Sequence, residues 1–135
     1  AVITAEGRRV FGADGAGVAL LEDGEQTFRY VAIEGVPADI VAAWATFPGT
    51  PDTPYGHAVA ERSPLVLASI DELARRFPAV HAPVARQGIA AMLVFPLVGS
   101  DGRPLGAAHL SFNTADALGD ADEAGVAAVA QQCAQ

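Results

Sequence analysis

A chain of 135 residues that is 51% hydrophobic and 18% charged carries enough apolar material for one sizeable core, so a single globular domain is expected rather than a linker or a disordered segment. Its net charge of −8, with eight basic residues that are all Arg, repels a phosphate backbone and argues against direct nucleic-acid binding. No apolar run approaches the roughly 18 to 20 residues needed to cross a bilayer, and AVITAEGRRV lacks the layout of a signal peptide, so no membrane partner and a cytoplasmic location are expected.

The acidic charges are dispersed, as on a solvated surface, without a tail or block. Cys133 is the single cysteine, which excludes an internal disulfide framework and a multi-cysteine metal site.

Arg8, Arg9, Val10 and Phe11, ahead of Gly12 and Gly15, read as the last turns of a helix stopped by glycine. Gly17–Glu22 and Thr27–Ile33 are β-rich runs separated by Asp23-Gly24, a strong hairpin signal. Both alternating faces of the first run are apolar, so the sheet is expected to be covered on both sides. Pro37 can open a helix in which Ile40, Val41, Trp44 and Phe47 recur at helical spacing until Pro48-Gly49 ends it. Asp52-Thr53-Pro54 then caps a short helix through Tyr55, His57, Ala58 and Val59.

Leu65–Leu67 suits an edge strand, where Pro64 at its start is tolerated. Ser69 and Glu72 have capping-box spacing for a helix over Ile70–Phe77, and Pro78 separates it from a further segment, Ala79–Gln87, ending at Gly88. Two apolar runs joined around Ser100-Asp101-Gly102 form the central hairpin, Ile89–Phe112. Asp120 and Glu123 open a closing helix with Val126, Val129, Ala130 and Cys133 on one stripe.

Strand side chains alternate with period two, so Leu93, Phe95, Leu110 and Phe112 fall on one face of the central hairpin and Met92, Val94, His109 and Ser111 on the other. The first set is wholly apolar. The second mixes polar and apolar groups, as the floor of a binding pocket does.

The segments RRVFGADGAGVALLED, TFRYVAIEG, RSPLVLASI, GIAAMLVFPLV, DGRPLGAAHLSF and DADEAGVAAVAQQCAQ, in this order and spacing, resemble a GAF domain over nearly the whole chain. The resemblance implies an α+β fold related to PAS domains, with a central five- to six-stranded antiparallel sheet. Terminal helices would pack on one face, with pocket-roofing helices and loops on the other. It implies a sensory or regulatory module of bacterial signalling proteins, pairing as a homodimer through its terminal helices and controlling a linked output domain. Because both terminal helices read as cut short, residues 1–135 are expected to be one such domain from a longer multidomain protein. On this picture the pocket floor is Met92, Val94, His109 and Ser111, and the roof is Trp44, Phe47, Tyr55, His57, Phe77, His81 and Val84.

Each chemical candidate has a plainer alternative. His57, His81 and His109 are too far apart in sequence for a local metal motif. Cys133 has no resolving partner and lies on an apolar stripe, where a small hydrophobe packs well. Its distance from the pocket removes the thiol chemistry of the family's sulfoxide-reducing and bilin-holding members. A chain without Lys lacks the Asn-Lys-Phe-Asp-Glu signature of phosphodiesterase GAF domains. Asp52-Thr53-Pro54 is similar to the Asp-x-Pro of phytochrome GAF domains, and equally a helix cap. Gly15-Ala16-Gly17 precedes a strand, so it is no phosphate loop, and no Ser-His-Asp constellation has a recognisable context. The expectation is a non-enzymatic, cofactor-free and metal-free sensor of an unknown small molecule. The alternative is a degenerate GAF domain that serves dimerisation or protein interaction with its pocket filled.

Overall fold

The computed structural model describes residues 9, 12–22 and 27–114. Six strands form one antiparallel sheet: β1 (Gly15–Glu22), β2 (Thr27–Glu34), β3 (Thr46–Pro48), β4 (Leu65–Leu67), β5 (Ala91–Val98) and β6 (Pro104–Phe112), in the spatial order β3-β2-β1-β6-β5-β4. Four helices lie between the strands: α1 (Ala38–Ala43), α2 (Pro54–Glu61), α3 (Ile70–Arg76) and α4 (Pro78–Arg86). The architecture is α+β, as expected. Among the described residues no helix is long and apolar enough to cross a membrane.

The central hairpin pairs Met92 with Ser111, Leu93 with Leu110, Val94 with His109 and Phe95 with Ala108. Directly opposed residues share a face, so this register produces the two sets expected from alternation. Leu93, Phe95, Leu110 and Phe112 join Val18 and Ala16 in one core cluster, while Met92 and Val94 join Ala19, Phe28 and Ala107 in the other. Apolar burial on both faces explains why β5 reads as a nearly continuous hydrophobic run. The hairpin turn holds Gly102 at φ +82°, a conformation that favours glycine. The expected Asp23-Gly24 turn, the first and last helices and Cys133 lie outside the described residues.

One element differs from the sequence reading. The helix expected to run through Phe47 stops at Ala43, and Thr46–Pro48 form an edge strand against β2, with Phe28 opposite Phe47. Burial decides the outcome: Phe47 stacks on Phe28 at 5.1 Å between ring centroids, and β2 offers its edge ladder groups to whichever segment reaches it. Tyr30 N–H donates to the Ala45 carbonyl at 3.1 Å, extending that attachment. Pro48 is tolerated because an edge strand can do without one donor.

The helix starts follow their caps. Thr53 Oγ1 accepts from Gly56 N–H at 3.1 Å, with Pro54 in the first turn of α2. Ser69 Oγ accepts from Glu72 N–H at 3.2 Å at the start of α3. Pro78 opens α4, where its missing N–H has no intrahelical role.

Candidate functional site

Where α1, α2 and α4 meet the sheet they leave a cavity of about 80 Å³. Its floor comes from β2, β5 and β6 through Tyr30, Met92 and His109; α2 contributes Pro54 and Tyr55, and its cap Thr53. Ile40, Trp44 and Phe47 from α1 and the segment after it line the cavity, as do Val80, Pro83, Val84 and Gln87 from α4 and its end. Among the described residues no charged side chain lines it.

Polar groups gather on the cavity floor. The Tyr55 hydroxyl lies 2.6 Å from His109 Nδ1, and the Tyr30 and Tyr55 rings meet edge to face with centroids 5.7 Å apart. Burial lowers the His109 pKa to about 4, so its imidazole is neutral at physiological pH. Burial likewise raises Tyr30 to about 12, partly offset by the neighbouring Tyr55 side chain. Tyr55 is pushed well above its ordinary value by burial, with the neighbouring Tyr30 adding to the effect. All three groups therefore hold their neutral forms across the physiological range.

Gly17 lies opposite His109 in the β1–β6 pairing. A Cβ there would come within 2.7 Å of His109 Cε1 and 3.1 Å of Tyr30 Cε1. The glycine thus makes room for two rings on one strand face.

Of the residues placed in the pocket by sequence, the structure brings Trp44, Phe47, Tyr55, Val84, Met92 and His109 together around the cavity. The others do not line it. His57 points from α2 toward α3, its Nε2 accepting from Arg76 at 3.4 Å and its ring edge-on to Phe77. Phe77 and Val94 are core filling, 2% and 0% exposed. His81 is exposed because α4 turns Val80 and Val84 inward, and a residue next to an inward position faces away. Ser111 is buried on the expected sheet face but packs against Gly15, whose hypothetical Cβ would lie 2.5 Å from its Oγ. Among the described residues no group of three His, Cys, Asp or Glu side chains could hold a metal ion.

Sequence reasoning missed Tyr30, Ile33, Val36, Ile40, Thr53, Pro54, Val80, Pro83, Gln87 and Ile89 in the lining. Tyr30 had a signal, since it alternates with Phe28 on β2. Ile33 had none: a β-bulge shifts the register so that Ala19 pairs with Tyr30 but Val18 with Ala32. The extra residue, Val31, is 54% exposed, and the bulge brings Tyr30 and Ile33 to one face although they are three positions apart.

Comparison with known proteins agrees with this architecture. A GAF domain family model matches residues 1–135. No curated protein matches the chain in sequence. Among solved structures, a domain from a protein provisionally assigned as a two-component sensor histidine kinase of Sinorhizobium meliloti 1021 superposes with a TM-score of 0.68 at 24% identity, covering 98% of this chain and 84% of that one. A GAF domain/HD domain protein from Geobacter sulfurreducens has a TM-score of 0.71 at 16% identity, with 98% and 82% coverage. The NreA protein of Staphylococcus aureus, mutated in its nitrate binding site, has a TM-score of 0.62 at 14% identity, with 82% and 80% coverage. With the six-stranded antiparallel sheet and the family model spanning its full length, the chain belongs to the GAF domain family.

Proposed function

We propose that this domain senses a small molecule in the cavity beneath α1, α2 and α4 and passes the occupancy signal to an output module in a longer protein. The observation that carries this reading is the cavity itself: an apolar wall with a few convergent polar groups is the usual form of a small-molecule site. Trp44, Phe47 and Met92 surround the space and leave it unfilled, which favours sensing over a scaffold with a plugged pocket. The named relatives supply context, since one is assigned as a sensor kinase and another joins a GAF domain to an HD domain.

Signalling requires the ligand to bind two conformations with different affinity. The helices that wall the cavity are short, so a ligand touching both α1 and α4 can bias their spacing. The sheet then connects this face to the Leu93, Phe95, Leu110 and Phe112 face behind it. Pairing of two copies through the terminal helices belongs to the same proposal.

Trp44 is the chain's single tryptophan and lines the cavity, so its fluorescence reports on the cavity. A broad library of small polar and apolar compounds titrated against the protein is expected to give a saturable fluorescence change for at least one chemical class. No saturable change for any compound, together with no retained mass in a native mass spectrum of protein taken from cells, would sink the sensing reading.

A further inference from the structure

The Tyr55–His109 bond on the cavity floor constrains what can bind, once its protons are counted. Tyr55 and a neutral His109 own two polar hydrogens, one O–H and one N–H. Their single link, at Nδ1, consumes one of them. One hydrogen is left for something else. If Tyr55 donates to Nδ1, the spare donor is Nε2–H. If Nδ1–H donates to Tyr55, the spare donor is the Tyr55 hydroxyl, and Nε2 accepts.

The His109 end can therefore meet either a donor or an acceptor, by reversing one hydroxyl and one tautomer. Tyr55 holds Nδ1, and His109 lines the cavity while only 5% exposed. A ligand group that reaches Nε2 supplies a hydrogen bond that water would otherwise supply.

Charge narrows the class further. Among the described residues neither an Arg nor a carboxylate lines the cavity, and the chain as a whole carries −8. An anion would lose its hydration for a single neutral donor, and a cation would find no counter-charge. Size sets the last limit. About 80 Å³ is roughly half of the engineered apolar cavity of about 150 Å³ that holds benzene, so a single ring would reach into the mouth and nothing larger would fit.

Resting on the sensory reading above, we propose that the cavity takes an uncharged compound of one ring or less, apolar except for one neutral hydrogen-bonding group that docks on the Tyr55–His109 pair. His109 sets the specificity because it presents the adaptable end. Tyr55 is a positioning residue, holding Nδ1 so that Nε2 faces the ligand.

The test uses four probes: phenol, toluene, benzoate and nitrate. The first three share a ring and differ in one substituent; nitrate tests for a small anion. Trp44 fluorescence and the 15N resonances of His109 are followed in the whole chain. Phenol is expected to saturate and to move the Nε2 resonance, toluene to bind roughly three- to tenfold more weakly, and benzoate and nitrate not to saturate over the same range. His109→Phe should bring phenol down to the toluene level, while His109→Gln, which keeps a donor and an acceptor, should retain part of the difference. Should H109F fail to fold, H109Q and the wild-type resonance shift decide alone.

Phenol binding no better than toluene, an unmoved Nε2 resonance, or benzoate or nitrate binding as tightly as phenol overturns the proposal. Such a result combined with a charged library compound that saturates Trp44 leaves the sensing reading standing and removes only this ligand class. Silence from all four probes and the library removes both.

Discussion

Tyr55 donates to or accepts from His109 Nδ1 across 2.6 Å, joining residues 54 positions apart in a buried contact between α2 and β6. The contact is the polar centre of an otherwise apolar core, and the neutrality of both partners is a property of burial. Its consequence for stability follows from the direction of the histidine shift. His109 is lowered to about 4 in the folded protein, against about 6.5 in an unfolded chain. Between those values the unfolded state binds the extra proton and the folded state does not, so stability falls as pH drops from about 6.5 to about 4. The loss is on the order of 3 kcal/mol once pH is below both values. Urea midpoints at pH 7, 5.5 and 4.5 should decline in the wild type and decline less in His109→Gln; parallel curves would show that His109 is not responsible.

Gly17→Ala should disturb the same contact from the opposite strand. The new Cβ would lie 2.7 Å from His109 Cε1 and 2.9 Å from Nδ1, so the imidazole has to move. Forcing a methyl into a packed site costs roughly 1–3 kcal/mol. The check is a urea titration of the variant together with its Trp44 emission, which should shift because Tyr30 and the cavity floor move with the ring. An unchanged midpoint would mean that the strand yields instead.

Phe47→Ala tests the edge strand. Phe47 is buried against Phe28, Tyr30 and Tyr55 with ring centroids 5.1, 5.4 and 5.5 Å away, and removing such a side chain costs about 3–5 kcal/mol. Hydrogen exchange should show the Tyr30 amide, which donates to Ala45, losing protection before the amides of the central hairpin. Uniform loss across the sheet would indicate that β3 is not a separable edge.

Thr53→Ala removes the cap of the helix that carries Tyr55. Thr53 Oγ1 accepts from Gly56 N–H, and loss of such a cap costs about 1 kcal/mol. Ser69→Ala, the corresponding cap of α3, should cost a similar amount in denaturation. The two differ in binding: only Thr53→Ala should weaken a cavity ligand, since Thr53 lines the cavity and Ser69 does not.

Asp39 and Arg86 form an exposed ion pair of 2.5 Å linking α1 to α4, next to the cavity residues Ile40 and Gln87. The Arg86 hydrogen bond lowers the Asp39 pKa, so the pair persists above the ordinary carboxylate range and is lost as pH falls through the lowered value. Asp39→Asn should leave the urea midpoint nearly unchanged and speed ligand exchange by at most about fivefold. Raising the salt concentration should speed exchange in the wild type and not in the variant; stopped-flow Trp44 fluorescence measures both.

Much of the fold is written in local patterns. The alternation of Ala91–Val98 and of Ala108–Phe112 identifies both hairpin faces, because period two follows from the pleat alone. Thr53, Ser69 and Pro78 mark helix starts by chemistry that acts within one turn. Met92 and His109 were placed on the cavity side by the same alternation, and Tyr55 by its position on the helix that follows the cap.

Other features depend on which distant surface a segment meets. Trp44 and Phe47 recur at helical spacing, yet Phe47 gains more by stacking on Phe28 at the open edge of β2 than by continuing the helix. The bulge at Val31 cancels the alternation that would have identified Ile33. His57 and His109 look alike in sequence, but one leans on Arg76 and Phe77 while the other is sealed against Tyr55. By itself the sequence determined five of the six strands, the two faces of the central hairpin and the helix caps, since those follow from periods and contacts within a few residues. Only the tertiary structure decided that Tyr30, Tyr55 and His109 gather as one neutral cluster on a cavity floor, because that cluster exists only where two strands and a helix exclude water together.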